Sequence, residues 1–558
     1  MRQEIFISID ARERRAVLLE DGWLMEILIE RDDSQVGKIY KGRVENVIAG
    51  MNAAFVDIGM LRNGFLCADD ASAHLSDLDH PDAQAKRRIT DIAKKGQDTM
   101  VQVVKEVIGT KGARLTTNIS LSGRFFVLLP TVPACHIGVS HKITDTEERD
   151  RLYGLAEQLV AGFCGAIVRT AAEGRTLEEL QGDWQALRSQ WEVTKNSFKL
   201  ASSPALLYSG VSLVDKVVRD WITPNCERLI IDNPTEYSYL LERLRVVAPY
   251  MVNKVQLYRN TVPLFIAHNI DSRIEKALHS KVRLHSGGNL VVERTEALWV
   301  IDVNTAQNVD KNAILATNLE ACREVCRQMR LRDMGGIIIV DFINMDSESQ
   351  QEQLLECLSE ELKRDRVRTR LVGITELGLV QLTRKREGKD LERIMREPCP
   401  HCHGMGRVMS ARATALKLRR ELLHRQGECR HSGYMVRCTP RTAWYLVGDK
   451  GELAGELCSE LKCDIAVHAD GNVSAGEFEI EPIDGCSCIP QPLDLGQQGQ
   501  ARLFPHYSGS PDSCLATLEG HLLEITNGAD FCGEELAIKV TEVGRYISRG
   551  RIVSKIIR

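Results

Sequence analysis

The stretch from residue 298 to residue 364 constrains the fold most, because it reads strand, helix, strand, helix and each strand carries an aspartate near its end. The strands are 298–303, with Asp302, and 337–342, with Asp341. Between them, over about 313–332, Leu315, Leu319, Cys322, Cys326 and Met329 recur at spacings of three and four, which marks one buried helix face. A second helix, about 348–364, has Ser347 as N-cap and turns Leu354, Leu355, Leu358 and Leu362 inward. Strands alternating with helices of this length indicate an α/β sheet.

Adjacent strands would bring both carboxylates to one sheet edge. Two such acids can hold a Mg²⁺ and leave most of its positions to water and a substrate phosphate. There the ion would supply an activated water and neutralise charge. Asn304 faces the same side and can orient the phosphate. Spacing alone allows a second reading, in which the acids only end strands and cap helices.

Upstream, residues 4–29 read as strands. Residues 36–120 hold five short ones (39–47, 53–58, 64–66, 99–106 and 113–117) with Gly-rich turns, which indicates a small closed barrel of OB type. Phe55 and Phe65 with Lys105 and Lys111 suit stacking on single-stranded bases, although such Phe can equally be core. From 147 to 194 helices flank 165–170, and 210–300 alternates helices and strands. Two basic runs, 363–370 and 384–389, could follow a phosphate backbone or be solvated faces.

Cys399-Pro-His-Cys402 is half of a tetrahedral zinc site. It would be completed by His401, His403 or another subunit. A redox CxxC would want a preceding thioredoxin-like βαβ pattern, which is absent. Residues 410–484 then read helix, strand, helix, strand, strand. A Gly/Pro/Gln-rich linker begins at Pro490, and 513–557 looks all-β.

At 558 residues three or more domains are expected. The net charge of −5 excludes a generally basic nucleic-acid coat, so any RNA contact must come from local patches. The apolar run 335–343 is too short for a bilayer and contains Asp341. No targeting segment follows Met1, and 17 scattered Cys fit a reducing cytoplasm.

Nine segments occur in the order found in the bacterial ribonuclease E/G family. They are Ile39-Tyr-Lys-Gly-Arg-Val, Ala53-Ala-Phe-Val-Asp-Ile-Gly, Gly109-Thr-Lys-Gly-Ala-Arg-Leu-Thr-Thr, Ser286-Gly-Gly, Ile301-Asp-Val-Asn-Thr, Asn318-Leu-Glu-Ala, Arg330-Leu-Arg-Asp-Met-Gly-Gly, Val340-Asp-Phe-Ile and Cys399-Pro-His-Cys-His-Gly. The chain resembles that family over about residues 1–485.

The resemblance implies a multidomain α/β protein with an inserted β-barrel. Residues 1–35 and 210–275 would form an RNase-H-like piece, 36–122 an S1-type OB barrel, and 123–209 a sensor for the RNA 5′ end. A deoxyribonuclease-I-like catalytic subdomain (276–396), a zinc link (397–408) and a small α/β dimerisation domain (409–487) would follow. Asp302 and Asp341 resemble the magnesium ligands and Asn304 their catalytic neighbour, and Arg368 the residue that grips RNA near the cut. Arg169 and Thr170 resemble the pair that holds a 5′-monophosphate, in a pocket lined by Gly123 to Val127. Phe55, Phe65, Lys105 and Lys111 match substrate-binding positions of the barrel. Cys399 and Cys402 resemble a zinc half-site shared between two subunits.

The implied activity is Mg²⁺-dependent endonucleolytic hydrolysis of single-stranded RNA, leaving 5′-phosphate and 3′-hydroxyl ends. Cleavage would be stimulated by a 5′-monophosphate and would serve ribosomal-RNA processing and mRNA decay. The protein would be a cytoplasmic homodimer or homotetramer with no membrane span. A catalytically inert RNA-binding factor is the alternative, and a TRAM-bearing methyltransferase ranks below it for want of a Gly-rich cofactor loop. Three features depart from the family: Asn344 replaces an Asp, Gln307-Asn-Val-Asp replaces a Gly- or Arg-rich stretch, and the long acidic tail of some members is missing. After a linker (488–512), residues 513–558 look similar to a TRAM barrel, whose basic ending (Arg545, Arg549, Arg551, Lys555, Arg558) agrees with RNA contact.

Overall fold

The computed structural model describes residues 2–31, 35–71, 88–105, 112–133, 136–305, 311–345, 347–386, 388–425, 433–483, 493–505 and 512–554. Lys111, Gln307 to Asp310, the start of the linker, Lys555 and Arg558 lie outside them. The chain divides into two units, Met1–Arg396 and Glu397–Arg558.

In the first unit the N-terminal strands Gln3–Ile9, Glu13–Glu20 and Trp23–Arg31 join Cys226–Ile231 and Val255–Leu257 in one five-stranded sheet. Period-two alternation gives it two apolar faces. Ile5, Ile7, Ala16 and Leu18 enter one core with Leu213, Val217, Leu240 and Leu244. Phe6, Val17 and Leu19 enter another with Leu264, Phe265 and Ile274.

Five strands, Ile39–Ile48, Ala53–Asp57, Gly64–Cys67, Asp98–Lys105 and Arg114–Thr116, close into a barrel through pairing of the first with the fourth. Strand Ala205–Tyr208 adds to its sheet, and Leu121–Ser122 leaves it for a four-stranded sheet with Phe126–Leu129, Gly165–Val168 and Ile137–Val139. Short strands near residues 122 and 209 are thus captured by pairing that local pattern does not encode.

The site rests on the six-stranded sheet, in the order Lys281–Arg283, Asn289–Arg294, Leu298–Asn304, Gly336–Asp341, Val380–Arg384, Thr369–Ile374. Helices Lys311–Leu331 and Glu348–Leu362 cover it, and Leu290, Ile301, Ile338, Val340, Val325, Met329 and Leu354 are fully buried in the shared core. Each such side chain contributes about 1.5–3 kcal/mol. Ser347 holds the N-cap position, but its side chain makes no capping hydrogen bond. Leu355 is not in the core either. Leu354, Leu358 and Leu362 with Cys357 define the buried stripe, and Leu355 lies about 100° round the helix from Leu354. Arg330, at the end of the long helix, pairs with Glu20 at 2.9 Å and Glu26 at 2.6 Å in near-complete burial and fixes this layer to the N-terminal sheet.

The second unit holds a three-stranded sheet (Asp464–Ala469, Gly433–Cys438, Phe478–Ile483) with helices Ala411–His424, Pro440–Val447 and Glu452–Leu461. Two helices therefore stand between the first two strands, where one was expected. The chain ends in a closed five-stranded barrel whose first strand, Gln498–Pro505, lies inside the segment expected to be linker. Gly and Gln masked it, yet Ala501 and Leu503 are buried at period two between exposed Gln500 and Arg502. The barrel shares a core with the small domain: Leu515 and Leu522 pack among Leu418, Leu446, Leu457 and Phe504. Among the described residues, no helix is long and apolar enough to cross a membrane.

Candidate active site

In strand Leu298–Asn304, Trp299, Ile301 and Val303 turn into the core while Asp302 and Asn304 face out. In Gly336–Asp341, Ile338 and Val340 turn in and Asp341 faces out. The two strands are parallel neighbours, and their register sets Asp302 opposite Asp341. Adjacent strands lie about 4.8 Å apart, so both carboxylates leave the same face within reach of one cation. Asn304 donates its amide to Asp302 Oδ2 at 2.9 Å and fixes the carboxylate's rotation. All three side chains are exposed. Two carboxylates on an open edge fit Mg²⁺, which keeps several waters and takes few protein ligands. Among the described residues no group of three His, Cys, Asp or Glu side chains gathers for a metal.

Arg368 is exposed, but it does not stand beside this pair. It precedes strand Thr369–Ile374, whose Thr369 is level with Arg384 and hence with Gly336, the opposite end of the strand from Asp341. Six residues of strand place it roughly 20 Å away along the sheet. Sequence spacing did not contain this separation from Asp341, which two antiparallel registers set. Its neighbours are different: Lys142 Nζ donates to the carbonyls of Asp365 at 3.0 Å and Arg366 at 2.9 Å.

Lys142 belongs to the segment that also meets Thr170, through a 3.1 Å contact between Ser140 Oγ and Thr170 Oγ1. Arg169 donates to the Gly123 carbonyl at 2.8 Å and to Asp220 Oδ1 at 2.9 Å. The Gly123 turn is pinned by buried Asp183, which accepts from the amides of Arg124, Phe125 and Phe126. A Cβ at residue 123 would stand 2.6 Å from Asp183 Oδ2, so the turn requires glycine. Val127 pairs with Ile167 on the neighbouring strand. Arg169, Thr170, Gly123 and Val127 thus share one small region. Asp220 is a member that sequence reading missed. Its burial alone would raise its pKa, but Arg219 and Arg169 hold it below the usual carboxylate value.

On the barrel, Phe55 and Phe65 oppose each other across two strands with ring centroids 5.9 Å apart, edge to face. They are half-buried and outside the barrel core. The register continues from Phe65 to Arg114 and from Arg114 to exposed Lys105, so aromatic and basic side chains form a row. Arg114 was not singled out from sequence. It sits within Gly109-Thr-Lys-Gly-Ala-Arg, and only strand pairing adds it to the row.

In the second unit Cys399 is exposed, and the amides of Cys402 and His401 donate to its sulfur, lowering its pKa. The Gly406 amide donates to Cys402 Sγ at 3.2 Å. The N–H groups at Cys399 favour its thiolate, the form that binds zinc. His401 Nδ1 lies 3.2 Å from Ser474 Oγ. In the C-terminal barrel, Arg545 pairs with Asp464, and Arg549 with Glu524 and Glu542, so two of the basic residues expected to meet RNA are engaged within the protein.

Residues 120–387 match the sequence model of the Ribonuclease E/G family, and residues 398–483 that of the RNase E/G thioredoxin-like domain. Ribonuclease G of Salmonella typhimurium is 37% identical over 493 residues, covering 86% of this chain and 99% of that protein. Ribonuclease G of Escherichia coli K12 is 37% identical over 82% of this chain and 95% of its own length. Ribonuclease E of Haemophilus influenzae is 32% identical over 86% of this chain but only 52% of its own.

Proposed function

The chain belongs to the ribonuclease E/G family, and from that premise we propose that it is an endoribonuclease that hydrolyses single-stranded RNA to 5′-phosphate and 3′-hydroxyl ends. The observation that carries this reading is the matched register of Asp302 and Asp341 with Asn304 hydrogen-bonded to the first. Mg²⁺ held by the two carboxylates would supply a reactive water and offset charge on the scissile phosphate. Asn304 holds the Asp302 carboxylate and offers its remaining amide hydrogen to the phosphate. Phe55 and Phe65 stack bases, while Lys105 and Lys111 track the backbone and select an unpaired strand.

Arg169 and Thr170, over the Gly123–Val127 turn, would receive a 5′-monophosphate. The guanidinium has five donors and only some are committed to Gly123 and Asp220. Arg368 would then hold RNA nearer that end than the cut. Cys399 and Cys402 supply two zinc ligands, and two more from a second subunit complete a tetrahedron and make a dimer, alone or as half of a tetramer. Ribosomal-RNA precursors and mRNA in the cytoplasm are the substrates this reading assigns.

The test is a 5′-labelled unstructured RNA, alone and annealed to its complement, with Mg²⁺ and with chelator. Cleavage of the single strand only, only with Mg²⁺, and with 3′-hydroxyl products is expected. Tight binding without cleavage under every condition would favour an inert RNA-binding factor instead.

A further inference from the structure

Strand Gly336–Asp341 ends at its acid, so the backbone groups that follow have no ladder partner and must find one elsewhere. They find Asn318. This residue of helix Lys311–Leu331 is fully buried, accepts from the Ile343 amide at 3.1 Å and donates to the Ile343 carbonyl at 2.8 Å. One amide side chain thus replaces a strand neighbour two residues beyond Asp341.

Two residues on, and so about 200° round the same helix, Glu320 does the matching task on the other side. Its carboxylate accepts from the amides of both His285 and Ser286. Burial alone would raise its pKa, but the Ser286 hydroxyl and these two amides keep it below the usual carboxylate value. The turn it holds, from Leu284 to Gly288, leads into Asn289, which pairs with Asn304. The fit is close: a Cβ at residue 288 would stand 2.6 Å from the Asn304 carbonyl and 3.3 Å from Thr317 Cγ2.

We propose that Asn318 and Glu320 are positioning residues for cleavage, one helix clamping both chain segments that fix the Asp302, Asn304 and Asp341 edge. This rests on the reading of that edge as a Mg²⁺ site. Neither side chain touches the acids. Each sets where a strand end stops, and a pair of carboxylates on separate strands shares one ion only if both ends are fixed. Ion affinity and turnover should therefore depend on the clamp, while RNA held by the barrel should not. A purely structural role would instead lower stability and leave the metal dependence of the folded fraction unchanged.

The full-length protein and its Asn318→Ala, Asn318→Asp, Glu320→Ala and Glu320→Gln variants test this. Mn²⁺ binding is read by electron paramagnetic resonance without RNA, and kcat and KM are measured over a Mg²⁺ series. The expected result for the alanine variants is Mn²⁺ affinity and kcat at low Mg²⁺ each down by about tenfold or more, with KM for RNA within about twofold. Part of the kcat loss should return at high Mg²⁺. Asn318→Asp, which keeps the acceptor to the Ile343 amide, and Glu320→Gln should fall between wild type and alanine. They also carry the test if an alanine variant does not fold. Wild-type Mn²⁺ affinity and Mg²⁺ response in the folded variants would overturn the clamp. A wild type that cleaves without divalent ions or binds no Mn²⁺ would overturn the metal reading itself, and the clamp with it.

Discussion

Lys142 donates its ammonium group to the Asp365 carbonyl at 3.0 Å, with the Arg366 carbonyl also in reach. Lys142 follows Ser140, which meets Thr170, and Asp365 precedes Arg368. A short hydrogen-bonded route therefore runs from the proposed 5′-phosphate pocket to the segment that carries a proposed RNA contact. Lys142→Met should lower the ratio of rates on 5′-monophosphorylated and 5′-hydroxyl RNA by about fivefold or more, the scale of a 1–3 kcal/mol coupling. An unchanged ratio would show that the contact is only structural.

Arg169→Gln tests the pocket directly. Its planar donors suit a terminal phosphate, and the substitution removes the charge. The rate ratio between the two RNAs should fall to about one. Equal rates on both RNAs with the wild type would remove the basis for a 5′-end sensor.

Phe55 and Phe65 should act on binding. Base stacking on an aromatic ring contributes about 1–3 kcal/mol per base, so either alanine variant should raise KM for unstructured RNA by roughly fivefold or more. Losing the edge-to-face contact should itself cost no more than about 1.5 kcal/mol of stability. A KM within error of wild type would return both rings to a packing role.

Much of the fold is legible in the sequence because it is written in local periodicity. The apolar runs 298–303 and 337–342 locate the strands, each with its acid near the end, and the spacing of Cys322, Cys326 and Met329 locates the helix face. What stays hidden is set by tertiary pairing. The distance of Arg368 from Asp341 depends on two antiparallel registers, the place of Arg114 on one parallel register, and the role of Glu320 on a turn 34 residues upstream. Strand Gln498–Pro505 is hidden for another reason: Gly and Gln lower its apparent β propensity although Ala501 and Leu503 keep the inward alternation.

That strand alters what truncation should do. With Leu515 and Leu522 buried in a core shared with the small domain, removal of residues 490–558 would expose that core rather than release an independent arm. The truncated protein should unfold at lower temperature and aggregate, and Leu522→Ala should cost about 2–5 kcal/mol. A truncated chain with wild-type Tm would show that the barrel is separable.

Zinc content separates the arrangements open to Cys399 and Cys402. A site shared by two subunits gives about half an ion per chain, because two thiolates fill half a tetrahedron. Cys402→Ser should lose both zinc and self-association. One tightly bound zinc per isolated monomer would implicate His401 or His403 and contradict a shared site.

The most direct test of the account is to compare Asp302→Asn and Asp341→Asn with wild type on one unstructured RNA, measuring single-turnover cleavage and RNA affinity together. Each substitution keeps the shape and removes one of the two paired charges. Cleavage should fall by at least about a thousandfold, on the order of several kcal/mol of lost metal-dependent stabilisation, with affinity for RNA nearly unchanged. Near-wild-type cleavage by either variant at ordinary Mg²⁺ concentration would contradict the assignment of this edge as the catalytic centre.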